Sequence, residues 1–126
     1  MVCGHHPVYT SGSHYMEDQG YLRQYIAPIL EEFNVLAYFS GHDHNLQYHH
    51  KFSWNTHYFG SAAGSKVEGS FVQADEGLVY FEQMNGFLAV SANKLTVRVA
   101  YVDYTGAVLY MLDVPVPATA ASSPNV

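Results

Sequence analysis

Two short apolar runs, each followed by a Gly-His pair, are the feature that most constrains how this chain can fold. The first run, Met1-Val2-Cys3, leads into Gly-His-His-Pro at 4–7, and the second, at 35–40, leads into Gly-His-Asp-His at 41–44. Short apolar runs that stop at glycine are typical of buried strands ending in loops. A helix between two such strands predicts a βαβ unit with parallel strands.

The segment between the two runs carries the pattern of a helix. Apolar side chains recur there every three or four positions, at Leu22, Ile26, Ile29 and Phe33. This spacing is typical of a helix that buries one face. Pro28 interrupts the pattern, and because proline cannot donate a backbone hydrogen bond, we expect a kink or a break there.

The second half of the chain has the pattern of strands and turns. We expect an irregular polar region up to about Trp54, a strand at 57–59, a loop of small residues at 60–64 and a surface loop at 66–77. Residues 78–115 contain three strand-like runs with turn signals at Asn85-Gly86, Asn93-Lys94 and Thr105-Gly106. The sequence of Asn85-Gly86 favours a tight hairpin with positive φ. This end is therefore predicted to be an antiparallel β meander.

The overall prediction is an α/β (α+β) fold in which residues 1–114 form one packed core or part of one, and 115–126 form a disordered tail. The tail is rich in Pro, Ala and Ser and has little to bury. The whole chain is 48% hydrophobic and 13% charged, as is typical of packed globular proteins. Cys3 is the single cysteine, so the chain has no intramolecular disulfide.

The charge of the chain excludes some functions. A formal net charge of -6 with 5 Lys+Arg argues against nucleic acid as a partner, because binding a phosphate backbone requires clustered cations. No apolar stretch approaches the length of about 18 residues that a membrane span needs, so no membrane partner is expected. If such an anionic chain handles phosphate substrates, bound metal ions are the obvious source of positive charge.

Histidines are the candidate metal ligands. His42 and His44 are two positions apart, so in an extended backbone both imidazoles would point to the same side. Asp43 between them is a candidate for orienting a ring. A His-x-His pair alone is also compatible with two solvated loop residues. However, both Gly-His motifs follow predicted parallel strands, and sites in α/β sheets form at the carboxyl ends of such strands.

Taken together, these motifs resemble those of the metallophosphoesterase superfamily, specifically the small, mammalian-type tartrate-resistant purple acid phosphatases. The resemblance extends over Gly-His-x-Pro at 4–7, the helix with its proline, Gly-His-Asp-His-Asn-Leu-Gln-Tyr at 41–48, Ser-Ala-Ala-Gly-Ser at 61–65 and the closing strands. It implies that the chain is the C-terminal half of an αββα sandwich. Gly-His-x-His also occurs in metallophosphodiesterases, but the following Asn-Leu-Gln-Tyr favours the phosphatases.

The resemblance also implies roles for individual residues. His5 and His42 would bind the divalent metal, and His44 would bind the ferric ion, in a dinuclear centre of Fe(III) with Fe(II), Zn or Mn. His14 lies nine positions after His5 and matches a histidine that faces the substrate, where it would bind phosphate or protonate the leaving oxygen. The substrate would be a phosphate monoester. The family's usual locations are secreted, lysosomal or vacuolar.

The chain departs from the family pattern in one large respect. The motifs that supply an Asp, a bridging Asp with a Tyr, and an Asn-His do not occur before His5. We therefore expect a fragment of an acid phosphatase that is inactive alone and whose partner is the missing N-terminal half. The alternative is a non-catalytic metal-binding or interaction module. In-frame Gly-Asp-x-x-Tyr and Gly-Asn-His motifs upstream would favour the enzyme, whereas a stop codon would favour the module.

Overall fold

A computed structural model describes residues 1–15, 19–67 and 70–118 of the chain. The described part contains eight strands and one helical segment. The strands are β1 Val2–Cys3, β2 Ala37–Ser40, β3 Leu46–His49, β4 His57–Ser61, β5 Leu78–Glu82, β6 Gly86–Ala92, β7 Thr96–Asp103 and β8 Val108–Pro115.

The helical segment between β1 and β2 is continuous but changes its winding. It consists of an α-helix at Gln19–Tyr21 (α1), a π-helical turn at Leu22–Ile26 and an α-helix at Ala27–Glu32 (α2). Pro28 lies in the first turn of α2, directly after the π-helical turn. The kink or break predicted at this proline corresponds to a change from π- to α-helical winding just before it, and the helical segment continues through it.

The larger sheet has the strand order β1-β2-β4-β3-β5. β1, β2 and β4 are parallel, and β3 is antiparallel to both of its neighbours. Because β1 and β2 are adjacent, parallel and joined through the helix, the βαβ unit predicted from the sequence is confirmed. The smaller sheet, β6-β7-β8, is the predicted antiparallel meander.

Three layers result from the alternation of side chains along the central strands. In β2 and β4, Tyr38 and Tyr58 pack under the helix together with Leu30, whereas Ala37 and Phe59 face the smaller sheet. The inner face of the smaller sheet is supplied by β7 and β8. Its buried residues are Val97, Val99, Tyr101 and Val114. The order of layers is thus helix, larger sheet, smaller sheet, in agreement with the predicted fold class.

The prediction of an irregular polar region up to Trp54 is wrong in part, because β3 lies within that region. All four residues of β3 are buried. Their polar groups are satisfied internally: Gln47 accepts a hydrogen bond from the Ser11 amide at 2.9 Å, and His49 is hydrogen bonded to the Glu76 carbonyl at 3.0 Å. A strand buried on both faces with polar side chains lacks the apolar alternation by which strands are recognised.

The hairpin predicted at Asn85-Gly86 is also wrong. Four strands rather than three occupy 78–115, and the turn joins β5 of one sheet to β6 of the other. Gly86 is needed for close approach, since a side chain there would meet the Val102 carbonyl, and not for a positive φ. The turns at Asn93-Lys94 and Thr105-Gly106 do connect paired strands, the latter with φ 90° at Gly106.

The boundary of the predicted tail falls inside an ordered region. β8 ends at Pro115, and the Val116 amide donates a hydrogen bond to the Leu95 carbonyl at 2.8 Å. Residues 119–126 lie outside the described residues, so a disordered tail there stays a prediction. No described helix is long and apolar enough to cross a membrane.

His57 should make the stability of the fold depend on pH. Burial, with the stacked imidazole of His50, lowers the pKa of His57 from 6.5 to about 4. As the pH falls, the His57 imidazole of the unfolded chain therefore takes up a proton before that of the folded chain does. The free energy of unfolding should accordingly fall as the pH drops from about 6.5 towards 4. In thermal melts at neutral pH and near pH 5, His57→Asn should reduce this loss by about 1 kcal/mol, after allowing for the ring's partial exposure. An equal loss in parent and variant would contradict the assignment.

Candidate metal site

The carboxyl ends of β1 and β2 lie side by side and extend their pairing into the two Gly-His motifs. Beyond the last paired strand residues, the Gly4 amide donates to the Phe39 carbonyl at 2.9 Å, and the Gly41 amide donates to the His5 carbonyl at 3.0 Å. The backbone before His42 is thereby fastened to the backbone of His5. The two motifs meet because the strands that precede them are hydrogen-bonded neighbours.

Three imidazoles gather at this sheet edge: those of His5, His6 and His42. One ligand nitrogen from each lies within 4.8 Å of the others, and within the described ranges this is the one such group of three or more potential ligands. The closest approach joins His42 Nδ1 to His5 Nε2 at 3.2 Å. His5 is exposed, and the other two rings are half-buried. The structure therefore brings together two of the three predicted ligands and adds His6.

His42 has a left-handed backbone with φ 67°, which is uncommon for a residue with a side chain. Short-range hydrogen bonds hold this bend: the Asp43 amide donates to the Gly41 carbonyl at 2.9 Å, and the Asn45 amide donates to the Asp43 carbonyl at 2.7 Å. The extended conformation assumed for His42 to His44 is thus wrong. His44 is half-buried and is not a member of the three-histidine group.

The rings around His42 affect its charge. Partial burial, followed by the neighbouring rings of His14, His6 and His5, lowers the pKa of His42 below its usual value. A neutral imidazole is the form that binds a metal ion. His42 is therefore more readily neutral than an ordinary histidine.

His14 reaches the same site from the loop after β1. Its ring centroid lies 4.2 Å from that of His42, and its Nδ1 forms a short hydrogen bond with Asp43 Oδ1. Asp43 is buried, and its other oxygen accepts a hydrogen bond from the Thr10 hydroxyl. Both carboxylate oxygens are therefore occupied within the chain. Asp43 orients His14, not one of the proposed ligand rings.

A buried polar network supports the loop that carries His14. The Gln47 amide donates to the Thr10 hydroxyl at 2.8 Å, and the Thr10 amide donates to Asp75 at 3.0 Å. Asp75 also forms an ion pair with Arg23 from the helical segment. Since buried charges need partners, these contacts fix the loop between the helix and the larger sheet.

Comparisons with known proteins agree with the motifs. No protein-family model matches the chain. Purple acid phosphatase 3 of Arabidopsis thaliana is 30% identical over 114 residues, which cover 87% of this chain and 30% of the relative. Tartrate-resistant acid phosphatase type 5 of Homo sapiens is 28% identical over 125 residues, covering 91% of this chain and 37% of the relative. The chain spans about a third of the length of these relatives.

Two solved structures share the fold. The purple acid phosphatase PPD1 from yellow lupin (Lupinus luteus) seeds superposes with a TM-score of 0.80 and 15% identity, covering 99% of this chain and 27% of that chain. GAP50, described as the anchor in the inner membrane complex of Plasmodium, also gives 0.80 with 24% identity, covering 90% of this chain and 35% of that chain.

The chain resembles the C-terminal part of a purple acid phosphatase. The resemblance predicted from the two Gly-His motifs is therefore confirmed, as is the fold class. The ligand roles of His5, His42 and His44 and the substrate-facing role of His14 stay predictions. His6 was not predicted as a ligand from the sequence, where its one signal was its position beside His5.

Gly4 should be essential for this arrangement, because a β-carbon there would overlap the Tyr38 hydroxyl. The Tyr38 hydroxyl donates to the His6 carbonyl at 2.9 Å, so displacing it would disturb both histidines of the first motif. We expect Gly4→Ala to destabilise the chain by about 1–3 kcal/mol in chemical denaturation. Gly20 is the matched control: it is helical with open space around it, so Gly20→Ala should be neutral or stabilise by up to about 1 kcal/mol. Equal stability of the two variants would contradict this.

Proposed function

We propose that this chain provides metal-binding histidines and a proton-donating histidine to an acid phosphatase that hydrolyses phosphate monoesters. In this proposal His5 and His42 bind the divalent ion, and His44 binds the ferric ion, of a dinuclear centre of Fe(III) with Fe(II), Zn or Mn. The observation that carries it is the 3.2 Å separation of His42 Nδ1 and His5 Nε2 at the carboxyl ends of two parallel strands. The similarity to purple acid phosphatases supports the reaction class.

The donor set fits part of such a centre. Imidazole nitrogens suit zinc and iron, and two nitrogens bound to one tetrahedral ion with bonds of about 2.05 Å lie about 3.3 Å apart. The separation between His5 and His42 matches this distance. A bound dinuclear centre would compensate the phosphate charge and lower the pKa of a water molecule. Neutral imidazoles cannot balance that positive charge, so carboxylates from a complementary segment would complete it.

His14 is proposed to act on the substrate through Nε2. A carboxylate can only accept hydrogen bonds, so the contact with Asp43 Oδ1 assigns the donor role to His14 Nδ1. Nε2 is therefore the nitrogen proposed to act on the substrate, by a hydrogen bond to a phosphoryl oxygen or, when protonated, by donation to the leaving oxygen. The Thr10 hydroxyl on the second oxygen of Asp43 fixes the carboxylate, and through it the ring.

The net charge of the chain favours a metal-dependent mechanism for a phosphate substrate. With 5 Lys+Arg and a formal net charge of -6, the chain offers few cationic side chains for binding a phosphoryl group. Its two arginines are engaged elsewhere: Arg23 pairs with Asp75, and Arg98 pairs with Asp113.

The location of the protein is also part of the proposal. A secreted, lysosomal or vacuolar location follows only from the resemblance.

The chain alone should not turn over substrate. Its described residues gather imidazoles but no carboxylate at the site, since Asp43 is occupied by His14 and Thr10. The test compares this chain with one extended upstream through its reading frame, measuring bound metal and p-nitrophenyl phosphate hydrolysis at acidic pH. We expect activity in the extended chain alone. Equal rates in both would show that the ligands are misassigned, and an extended chain that holds two metals without hydrolysis would refute the phosphatase.

Two substitutions in the extended chain should separate binding from proton transfer. His42→Ala should lose metal and rate together, because it removes a ligand. His14→Ala should retain the metal and lower kcat by about 100-fold or more, the usual effect of removing a general acid. His50→Gln, which alters a histidine outside the site, is the control for both. If His14→Ala lost its metal, or kept the parent's kcat, the role proposed for His14 would be wrong.

A further inference from the structure

His6 is a third imidazole at the site that the family resemblance leaves without a role. Its ring centroid lies 4.2 Å from that of His42 and 5.0 Å from that of His5. The planes of the His5 and His6 rings are nearly perpendicular, at 89°. The three rings are therefore in mutual contact and do not form a single parallel stack.

The nitrogen positions are close to those of a three-histidine metal site. His5 and His42 already have the separation of about 3.3 Å expected for two ligands of one tetrahedral ion. The third nitrogen lies within 4.8 Å of both. A rotation of the half-buried His6 ring that moves its nitrogen by at most about 1.5 Å would complete the set, because tetrahedral ligands are all about 3.3 Å apart.

The backbone that carries these rings is fixed before any ion binds. The His5 carbonyl accepts from Gly41, and the His6 carbonyl accepts from the Tyr38 hydroxyl. His42 is held in its left-handed turn by the contacts around Gly41 and Asp43. Ligands on a fixed backbone lose less conformational freedom when they bind, so the site is suited to bind without a partner segment.

We propose that this chain, on its own, binds one divalent transition-metal ion through His5, His6 and His42. The proposal rests on the proposed function in one respect, that His5 and His42 share one ion. It differs in its third ligand, because His6 replaces the donors that a complementary segment would bring, and His44 takes no part. Three neutral imidazoles favour Zn²⁺, Co²⁺ or Ni²⁺ and leave a fourth position for water or an anion.

The decisive experiment titrates the metal-free 126-residue chain with Zn²⁺ and Co²⁺ near neutral pH, by calorimetry and by the visible absorption of bound Co²⁺. We expect one ion per chain. His6→Ala should weaken binding at least about 10- to 100-fold, since even residues that only support a ligand have effects of this size. His50→Ala, which removes an imidazole outside the site, is the matched control and should bind within about threefold of the parent. His6→Ala binding as tightly as the parent, or a parent that binds no ion, would overturn the proposal.

Two further measurements make the outcome independent of misfolding and of enzyme activity. His6→Gln and His6→Ala are compared with the parent by circular dichroism and thermal melting. Zinc-dependent shifts of the ring nitrogens, measured by NMR on the unsubstituted chain, should include His6; shifts of His44 without His6 would overturn the proposal. A third outcome separates the two proposals. If the 126-residue chain binds zinc but the extended chain does not hydrolyse phosphate esters, the proposed function is refuted and this site stands.

Discussion

Parallel pairing of β1 with β2 is the interaction on which the candidate site depends. β1 has only two residues, yet the pairing of Val2 with Tyr38 and of Cys3 with Phe39 continues through two more backbone hydrogen bonds into the Gly-His motifs. Residues that are 37 positions apart in sequence, His5 and His42, become neighbours through it. Any change that shifted this register by one residue would move one imidazole to the opposite face of the sheet.

The sequence was sufficient where local patterns and the global fold agree. Apolar runs that end at glycine, with a helix of regular spacing between them, predicted β1, the helix and β2, and their parallel order followed from connection rules. The convergence of His5 and His42 was predictable for the same reason. It needs only the strand directions, and these are fixed once a helix connects neighbouring parallel strands.

The sequence was insufficient where tertiary contacts decide the conformation. Gln47 and His49 appear in sequence as polar residues outside any strand, but buried hydrogen bonds to Ser11 and Glu76 make them part of one. Positive φ is uncommon for residues other than glycine, yet His42 adopts it in a bend that the hydrogen bond between Asp43 and Gly41 stabilises. Neither this bend nor the membership of the group, with His6 in it and His44 outside it, could be predicted by counting positions.

The two halves of the site are stabilised by different means, and this matters for function. The imidazoles of His5, His6 and His42 are held by backbone hydrogen bonds at a strand edge, whereas His14 is held by the buried side chain of Asp43. Because Asp43 is in turn fixed by Thr10, and Thr10 by Gln47 of β3, the orientation of His14 derives from the interior of the larger sheet. A histidine oriented in this way does not need a bound metal to hold it in place. The proton donation proposed for His14 and the metal binding proposed for the other rings should therefore be separable by substitution, although His14 and His42 are in ring contact.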